Sequence, residues 1–331
     1  MHCVVTGAAG FIGSHLCEYL LNHGHDVSGI DAMIPYYAPA IKEHNLAIAR
    51  EHPNFHLHRL DLRHDSIDGA IADADVVFHV AAMPGLNQSW TDFDLYMTCN
   101  VQATQRLLEA IRRTGQPRLI YASTSSVYGR LACGDETMPT LPISPYGVTK
   151  LAAEQLCRAY AESRGLSVVY LRYFSVYGPR QRPDMGYHKF INALLNDEPI
   201  VVYGDGQQAR GNTYVADCVE ATVLAADAPP GEIYNVGGGE AASVWDVLQR
   251  LEMLAGRKAR TRTEPPRPGD QRHTRARTAK IAHQLGWKPR TSLDEGLARQ
   301  WAWQEWDSIE DETLPESVPV VEPADRLIGA V

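Results

Sequence analysis

Tyr146 and Lys150 stand four residues apart in Ser144-Pro145-Tyr146-Gly147-Val148-Thr149-Lys150. On a helix that spacing places both on one face. A phenol with an ordinary pKa of about 10 is a poor base at neutral pH. An ammonium beside it stabilises the phenolate and lowers that pKa. Such a pair can take a proton from an alcohol. A hydroxyl-rich segment, Ala122-Ser123-Thr124-Ser125-Ser126-Val127-Tyr128-Gly129, falls where an apolar strand pattern ends. Taken singly, a Tyr-x-x-x-Lys pair occurs on many solvated helices, and a Ser/Thr-rich turn needs no chemistry. The upstream part of the chain decides between these readings.

Upstream lies Gly7-Ala8-Ala9-Gly10-Phe11-Ile12-Gly13, between the apolar run Cys3-Val4-Val5-Thr6 and the helical pattern Ile12, Leu16, Leu20, Leu21. Gly7 allows a tight turn, Gly10 lets the backbone approach a pyrophosphate, and Gly13 lets helix and strand pack closely, with the phosphates at the helix N-terminus. A second apolar run, Asp26-Val27-Ser28-Gly29-Ile30, ends at Asp31. Strand before, helix after and an acid at the end of the second strand are the context a dinucleotide site requires. Asp31 is expected on a ribose 2′-hydroxyl. It repels a 2′-phosphate, and no Arg or Lys immediately follows it, so the expected cofactor is NAD rather than NADP.

Positioning these groups needs a sheet. Short strand patterns recur at Phe55–His58, Val76–His79, Leu119–Ala122, Ser167–Leu171 and Ile233–Val236, with helical segments over Asn100–Arg113 and Lys150–Ser163. Strands alternating with helices predict an α/β fold, a Rossmann-type doubly wound parallel sheet with a smaller C-terminal substrate-binding lobe. The rhythm breaks after Gly178, where Pro179, Pro183, Pro199 and later Pro265, Pro266 and Pro268 interrupt it. The expected organisation is an NAD-binding domain over 1–178, with segments returning at about 213–240. A substrate lobe follows over 179–306, then a flexible acidic tail over 307–331.

The chain has 331 residues, a net charge of −9, 44% hydrophobic and 21% charged residues. This is an ordinary globular composition, without a basic block for nucleic acid. The six cysteines are scattered without a Cys-x-x-Cys, so neither a metal site nor a disulfide framework is expected, and Cys3 and Cys17 read as small core residues. No apolar run approaches the ~18–20 residues of a membrane helix, and no signal peptide precedes the first strand. A cytoplasmic enzyme, away from membrane and nucleic acid, is expected.

The Gly-x-x-Gly-x-x-Gly spacing of Gly7, Gly10 and Gly13 resembles that of the extended short-chain dehydrogenase/reductases, in particular the NAD-dependent epimerase/dehydratase type. The resemblance runs from Met1 to about Trp306 and is greatest to the nucleotide-sugar epimerases that act on UDP-glucuronate at C4. It is carried by Thr6–His15, Ala81-Ala82-Met83-Pro84-Gly85, Ser123–Gly129, Ser144–Lys150 and the long run Arg172-Tyr173-Phe174-Ser175-Val176-Tyr177-Gly178-Pro179-Arg180-Gln181-Arg182-Pro183-Asp184-Met185. The resemblance implies roles for further residues. Asp61 and Leu62 would contact the adenine, Ala81 and Ala82 would pass under the cofactor, and Asn100 would be the family's helix asparagine. Thr124 would share the hydrogen bond of the substrate hydroxyl, with Ser125, Ser126 and Pro84 lining the pocket. Ser175 and Arg182 would face a sugar carboxylate, Arg210 and Arg267 a diphosphate, and Asp270 a ribose. His79 reads as a core histidine, and Tyr128 as a packing residue.

One position bears on the reaction. Relatives that dehydrate or decarboxylate carry Glu just before Val-Tyr-Gly; here Ser126 holds it. The resemblance therefore implies reversible oxidation at C4, rotation of the 4-keto sugar and return of hydrogen to the other face, converting UDP-glucuronate to UDP-galacturonate in a homodimeric enzyme. An oxidative decarboxylase of a nucleotide-linked uronate, a UDP-glucose 4-epimerase and a non-catalytic NAD sensor are the competing readings. The chain departs from its relatives at Asn87 and Arg277, where they show Arg and Asp, at Ser175, where Thr is common, and at Gly211-Asn212, where they read Asp-Phe. Loss of that Asp-Phe pair predicts a looser loop around Arg210.

Overall fold

The computed structural model describes residues 1–267 and 269–311. Seven parallel strands form the main sheet. Their order across it is Ile233–Val236, Val168–Tyr173, Arg118–Thr124, Val76–His79, His2–Thr6, Asp26–Ile30, Phe55–His58. The chain reverses direction across the sheet at His2–Thr6, so the crevice at the carboxyl ends of its neighbours is where such folds bind ligands. Each strand expected from the apolar runs is present, four of the seven with the same bounds.

The strands are nearly continuous apolar runs because helices cover both faces. One face packs under Phe11–Asn22 and Val215–Leu224, through Leu16, Cys17, Leu20, Val219 and Ala221. The other packs under Ala103–Arg113 and Pro145–Arg164, through Leu107, Leu108, Ile111, Ala153 and Cys157. Cys3 and Cys17 are fully buried core residues.

A second sheet is built from Ala241–Ser243, Ala209–Tyr214, His273–Thr274 and Leu131–Ala132, with Ser175–Tyr177 pairing along Ala209–Tyr214. A separate parallel pair joins Ile200–Tyr203 to Thr261–Glu264. The chain returns to the main sheet through Val215–Leu224 and Ile233–Val236. Asp217 on that helix anchors the segment leading to the last helix: its carboxylate accepts from the backbone of Arg290 and Thr291, and its carbonyl accepts from the buried Trp287 indole at 2.9 Å.

The last helix spans Leu293–Asp311. The first five residues of the stretch expected as a tail are therefore helical; 312–331, and Pro268 of the proline-rich loop, lie outside the described residues. Among the described residues, no helix is long and apolar enough to cross a membrane.

Candidate active site

The glycine turn works as its spacing predicts. Gly7 has φ +72°, and a Cβ there would lie 2.8 Å from the backbone of Ala81. A Cβ on Gly13 would lie 2.0 Å from the Gly7 carbonyl oxygen. Strand end, turn and helix start thus approach as closely as a backbone without side chains allows. The helix Phe11–Asn22 starts at Gly10 with no side-chain cap, so its first N–H groups are presented to an anion.

A cavity of about 230 Å³ opens over this turn. Gly7, Gly10, Phe11, Ile12, Gly13, Asp31, Asp61, Leu62, Ala81, Ala82, Pro84, Tyr146, Lys150 and Arg182 all line it. The glycine turn, Asp31 and the Tyr146–Lys150 pair, far apart in sequence, therefore share one wall. Asn100 is not on that wall. It lies in a π-helical turn, Met97–Gln102, that leads into Ala103–Arg113. There its amide brackets Met83, accepting from the Met83 N–H at 2.6 Å and donating to the Met83 carbonyl at 3.0 Å; it also donates to Thr149 at 3.1 Å. Asn100 fastens the loop after Val76–His79 to the helix that carries Lys150.

That helix, Pro145–Arg164, starts sharply. Ser144 caps it by accepting from the Gly147 N–H at 3.1 Å, Pro145 opens the first turn, and Gly165 ends it in the left-handed region. Tyr146 is half-buried and Lys150 buried. Burial pushes the Tyr146 phenol up; its hydrogen bond with the Thr124 side chain and the charge of Arg182 oppose this. Burial pushes the Lys150 ammonium down to about 8, against Cys157 and Glu154. Thr124 ends its strand, accepts from the Ser126 N–H at 3.2 Å and caps the short turn Ser125–Tyr128. Thr124, Ser125 and Ser126 are buried beside the cavity rather than on its wall, which Ser123 reaches instead.

Arg182 pairs bidentately with Asp184, Nε to Oδ1 at 2.9 Å and Nη2 to Oδ2 at 3.0 Å. Away from this cavity wall, Arg210, Arg267 and Asp270 form a second group. Burial pushes the Asp270 carboxyl up, while Arg210 and Arg267 beside it pull it down. Arg267 also stacks on Tyr203, 3.3 Å from its ring centroid. Ser175 pairs in register with Asn212 on the strand that carries Arg210. That strand is not loose. A Cβ at Gly211 would meet the Thr274 carbonyl oxygen at 3.2 Å, so the glycine lets the neighbouring strand close in. Asn212 accepts from the Tyr187 phenol at 2.6 Å and donates to the carbonyls of Arg210 and Glu240.

His79 is a core residue: it bridges Thr6 at 2.7 Å and Thr104 at 3.0 Å, and burial lowers its pKa to about 3, so it stays neutral. Tyr128 packs inward, donating to Asn235 at 2.7 Å and lying against Arg172. Among the described residues no cluster of His, Cys, Asp and Glu is arranged to hold a metal.

Several wall residues carry no signal in the amino-acid sequence, among them Tyr36, Tyr37 and Lys42. Lys42 matters most. It lies on the separate helix Pro39–Asn45, yet its ammonium comes 3.6 Å from Asp31. Asp31 also accepts from the N–H groups of Ala9 and Met33 at 3.1 and 2.8 Å. Arg63, a further wall residue not expected from the sequence, clasps Asp61 through its backbone and guanidinium, at 2.7–3.1 Å. Its spacing of two residues from Asp61 was the available signal.

Comparison with known proteins agrees with this geometry. The sequence model of the NAD dependent epimerase/dehydratase family matches residues 3–237. The chain is 42% identical over 308 residues to YtcB of Bacillus subtilis, named an uncharacterized UDP-glucose epimerase, covering 92% of this chain and 98% of that protein. It is 34% identical over 306 residues to a UDP-glucuronate 4-epimerase of Thermodesulfobacterium geofontis, covering 91% and 95%. The structure matches a crystal structure of UDP-glucuronic acid 4-epimerase from Bacillus cereus in complex with UDP-glucuronic acid and NAD. The TM-score is 0.90 at 41% identity, and the match covers 92% of this chain and 99% of that one. On its glycine turn, its parallel sheet and these matches together, the chain belongs to the NAD dependent epimerase/dehydratase family.

Proposed function

We propose that the chain is an NAD-dependent 4-epimerase of a nucleotide sugar, converting UDP-glucuronate to UDP-galacturonate. The observation that carries this reading is that Arg182, Tyr146 and Lys150 line one cavity with the glycine turn. When bound, NAD supplies the oxidising power at C4 of the sugar and gives it back. The glycine turn, the uncapped helix start and Asp31 fit its pyrophosphate and ribose.

The chain's own residues handle protons, charge and orientation. Tyr146 takes the proton of the C4 hydroxyl as the C4 hydrogen departs, and returns it when hydrogen comes back to the other face. The charge of Arg182 favours the phenolate, and Lys150 adds a second cation one turn along the same helix. Thr124, bonded to the phenol, holds its orientation. The 4-keto sugar is a β-keto acid, which loses carbon dioxide when the bond to its carboxylate aligns with the carbonyl π system. Arg182 presents a planar donor edge suited to gripping that carboxylate. Ser126, without a carboxylate of its own, adds no acid or base for elimination. Arg210 on the second sheet, with Arg267 and Asp270 between Thr261–Glu264 and His273–Thr274, serve the diphosphate and ribose.

The active protein is a homodimer in a reducing cytoplasm. Exposed Trp90, Phe93 and Val148, on adjoining segments, supply an apolar face, and all six cysteines are free thiols. Turnover of UDP-glucuronate in D2O tests the reaction. UDP-galacturonate with protium at C4 is expected, because the hydrogen that leaves C4 returns to it; deuterium at C4 would overturn it.

A further inference from the structure

The Arg182–Asp184 pair is more than a surface ion pair. Arg182 uses its Nε and Nη2 side, the edge best shaped for a carboxylate, on the carboxylate of a residue two places along the chain. The pair is built in. Met185 N–H donates to the Arg182 carbonyl at 3.0 Å, closing a tight turn that holds Asp184 against Arg182. From the opposite side Tyr36, on the loop after Asp26–Ile30, donates its phenol to Asp184 Oδ2 at 3.3 Å. The Tyr36 ring lies 6.0 Å from the Arg182 guanidinium. Gly85 makes room for that phenol: a Cβ there would sit 2.5 Å from the Tyr36 oxygen. Two loops thus converge to hold a carboxylate on the cavity-wall arginine next to Tyr146.

We propose that Asp184 is a specificity-determining residue, an internal carboxylate that a substrate carboxylate must share or displace on Arg182. This rests on the reading of Arg182 as the group facing the sugar. With Asp184 in place, an incoming uronate meets a neutral pair rather than a bare cation. The like charge of Asp184 works against it. A sugar with a neutral C6 hydroxymethyl group meets no such opposition. Asp184 therefore narrows the margin by which the site prefers a uronate, and keeps the neutral hexose acceptable.

The test is the ratio of kcat/KM for UDP-glucuronate to kcat/KM for UDP-glucose, in the wild-type enzyme and in Asp184→Asn. The asparagine keeps the shape and removes the charge. The ratio should rise about tenfold, equivalent to about 1.4 kcal/mol. A purely structural role would lower both values together and leave the ratio where it was; that result, or a fall in the ratio, overturns the proposal. Equilibrium binding of the two sugar nucleotides to the NAD-loaded protein, by calorimetry, gives the same comparison without turnover. If the wild type binds UDP-glucuronate without converting it, the proposed reaction fails and the binding ratio still decides the role of Asp184. If it binds neither sugar nucleotide, both readings fall. Asp184→Ala should shift the ratio in the same direction, and serves if the asparagine variant does not fold.

Discussion

The Lys150 ammonium lies 4.5 Å from the centroid of the Tyr121 ring, over its face, inside the protein. Burial lowers the pKa of Lys150 from 10.5 to about 8, although Cys157 and Glu154, one turn further along the helix, pull it back up. Between those two values the unfolded chain holds a proton that the folded chain has released. The stability this group contributes therefore rises with pH across the window, and its burial penalty is fully present below pH 8. Lys150→Met should accordingly be more stable than wild type at pH 7, by at most roughly 3 kcal/mol. The gap should close as pH approaches 10.5. Denaturant unfolding of both proteins without added NAD, at several pH values, checks this; a gap that does not change with pH contradicts it.

Tyr146 is the base. Tyr146→Phe leaves the glycine turn, Asp31 and Lys150 in place, so NAD should still bind. Turnover should fall by roughly 10²–10⁴, the usual contribution of a positioned general base. Near-normal turnover would remove Tyr146 from the role.

The proposed site assigns cofactor choice to Asp31. Its carboxylate opposes a 2′-phosphate, so NAD should bind at least about tenfold more tightly than NADP, a difference of about 1.4 kcal/mol. Lys42, held 3.6 Å from Asp31, adds a second expectation. In Asp31→Asn the lysine loses its partner and can meet a phosphate instead, so the preference for NAD should shrink or reverse. Fluorescence titration with both cofactors measures it. Equal affinity in the wild type would sink the assignment.

These sites were unequally legible in the amino-acid sequence. Gly7, Gly10 and Gly13 could be read because a turn and a close packing contact act over a few residues. Tyr146 and Lys150 could be read because a helix fixes what lies four positions away. Lys42 could not: it reaches Asp31 only because a separate helix, tied by Asn45 to the Ala9 carbonyl at 3.0 Å, folds back over the glycine turn. Tyr36 is likewise brought to Asp184 by two loops meeting over the cavity, across 148 positions. The place of Asn100 was legible but its bracket on Met83 was not, since it depends on a π-helical turn that no periodicity announces. The looseness expected around Arg210 did not materialise, because Asn212 supplies side-chain hydrogen bonds and Gly211 admits the next strand.

Arg182 should govern the fate of the intermediate. Arg182→Ala removes the donor edge, freeing the carboxylate to align with the C4 carbonyl. The share of decarboxylated pentose product should rise severalfold, while NAD binding stays intact because the glycine turn is untouched. An unchanged product ratio would show that Arg182 does not hold the carboxylate.

The proposed reaction returns hydrogen to C4 before carbon dioxide is lost. Incubating the purified wild-type protein with UDP-glucuronate, and following products by proton NMR with released carbon dioxide trapped and counted, tests that order most directly. UDP-galacturonate should be the main product, with only a minor pentose leak. A UDP-pentose or keto-pentose as the main product, with carbon dioxide in matching amount, would contradict it and make the protein a decarboxylase.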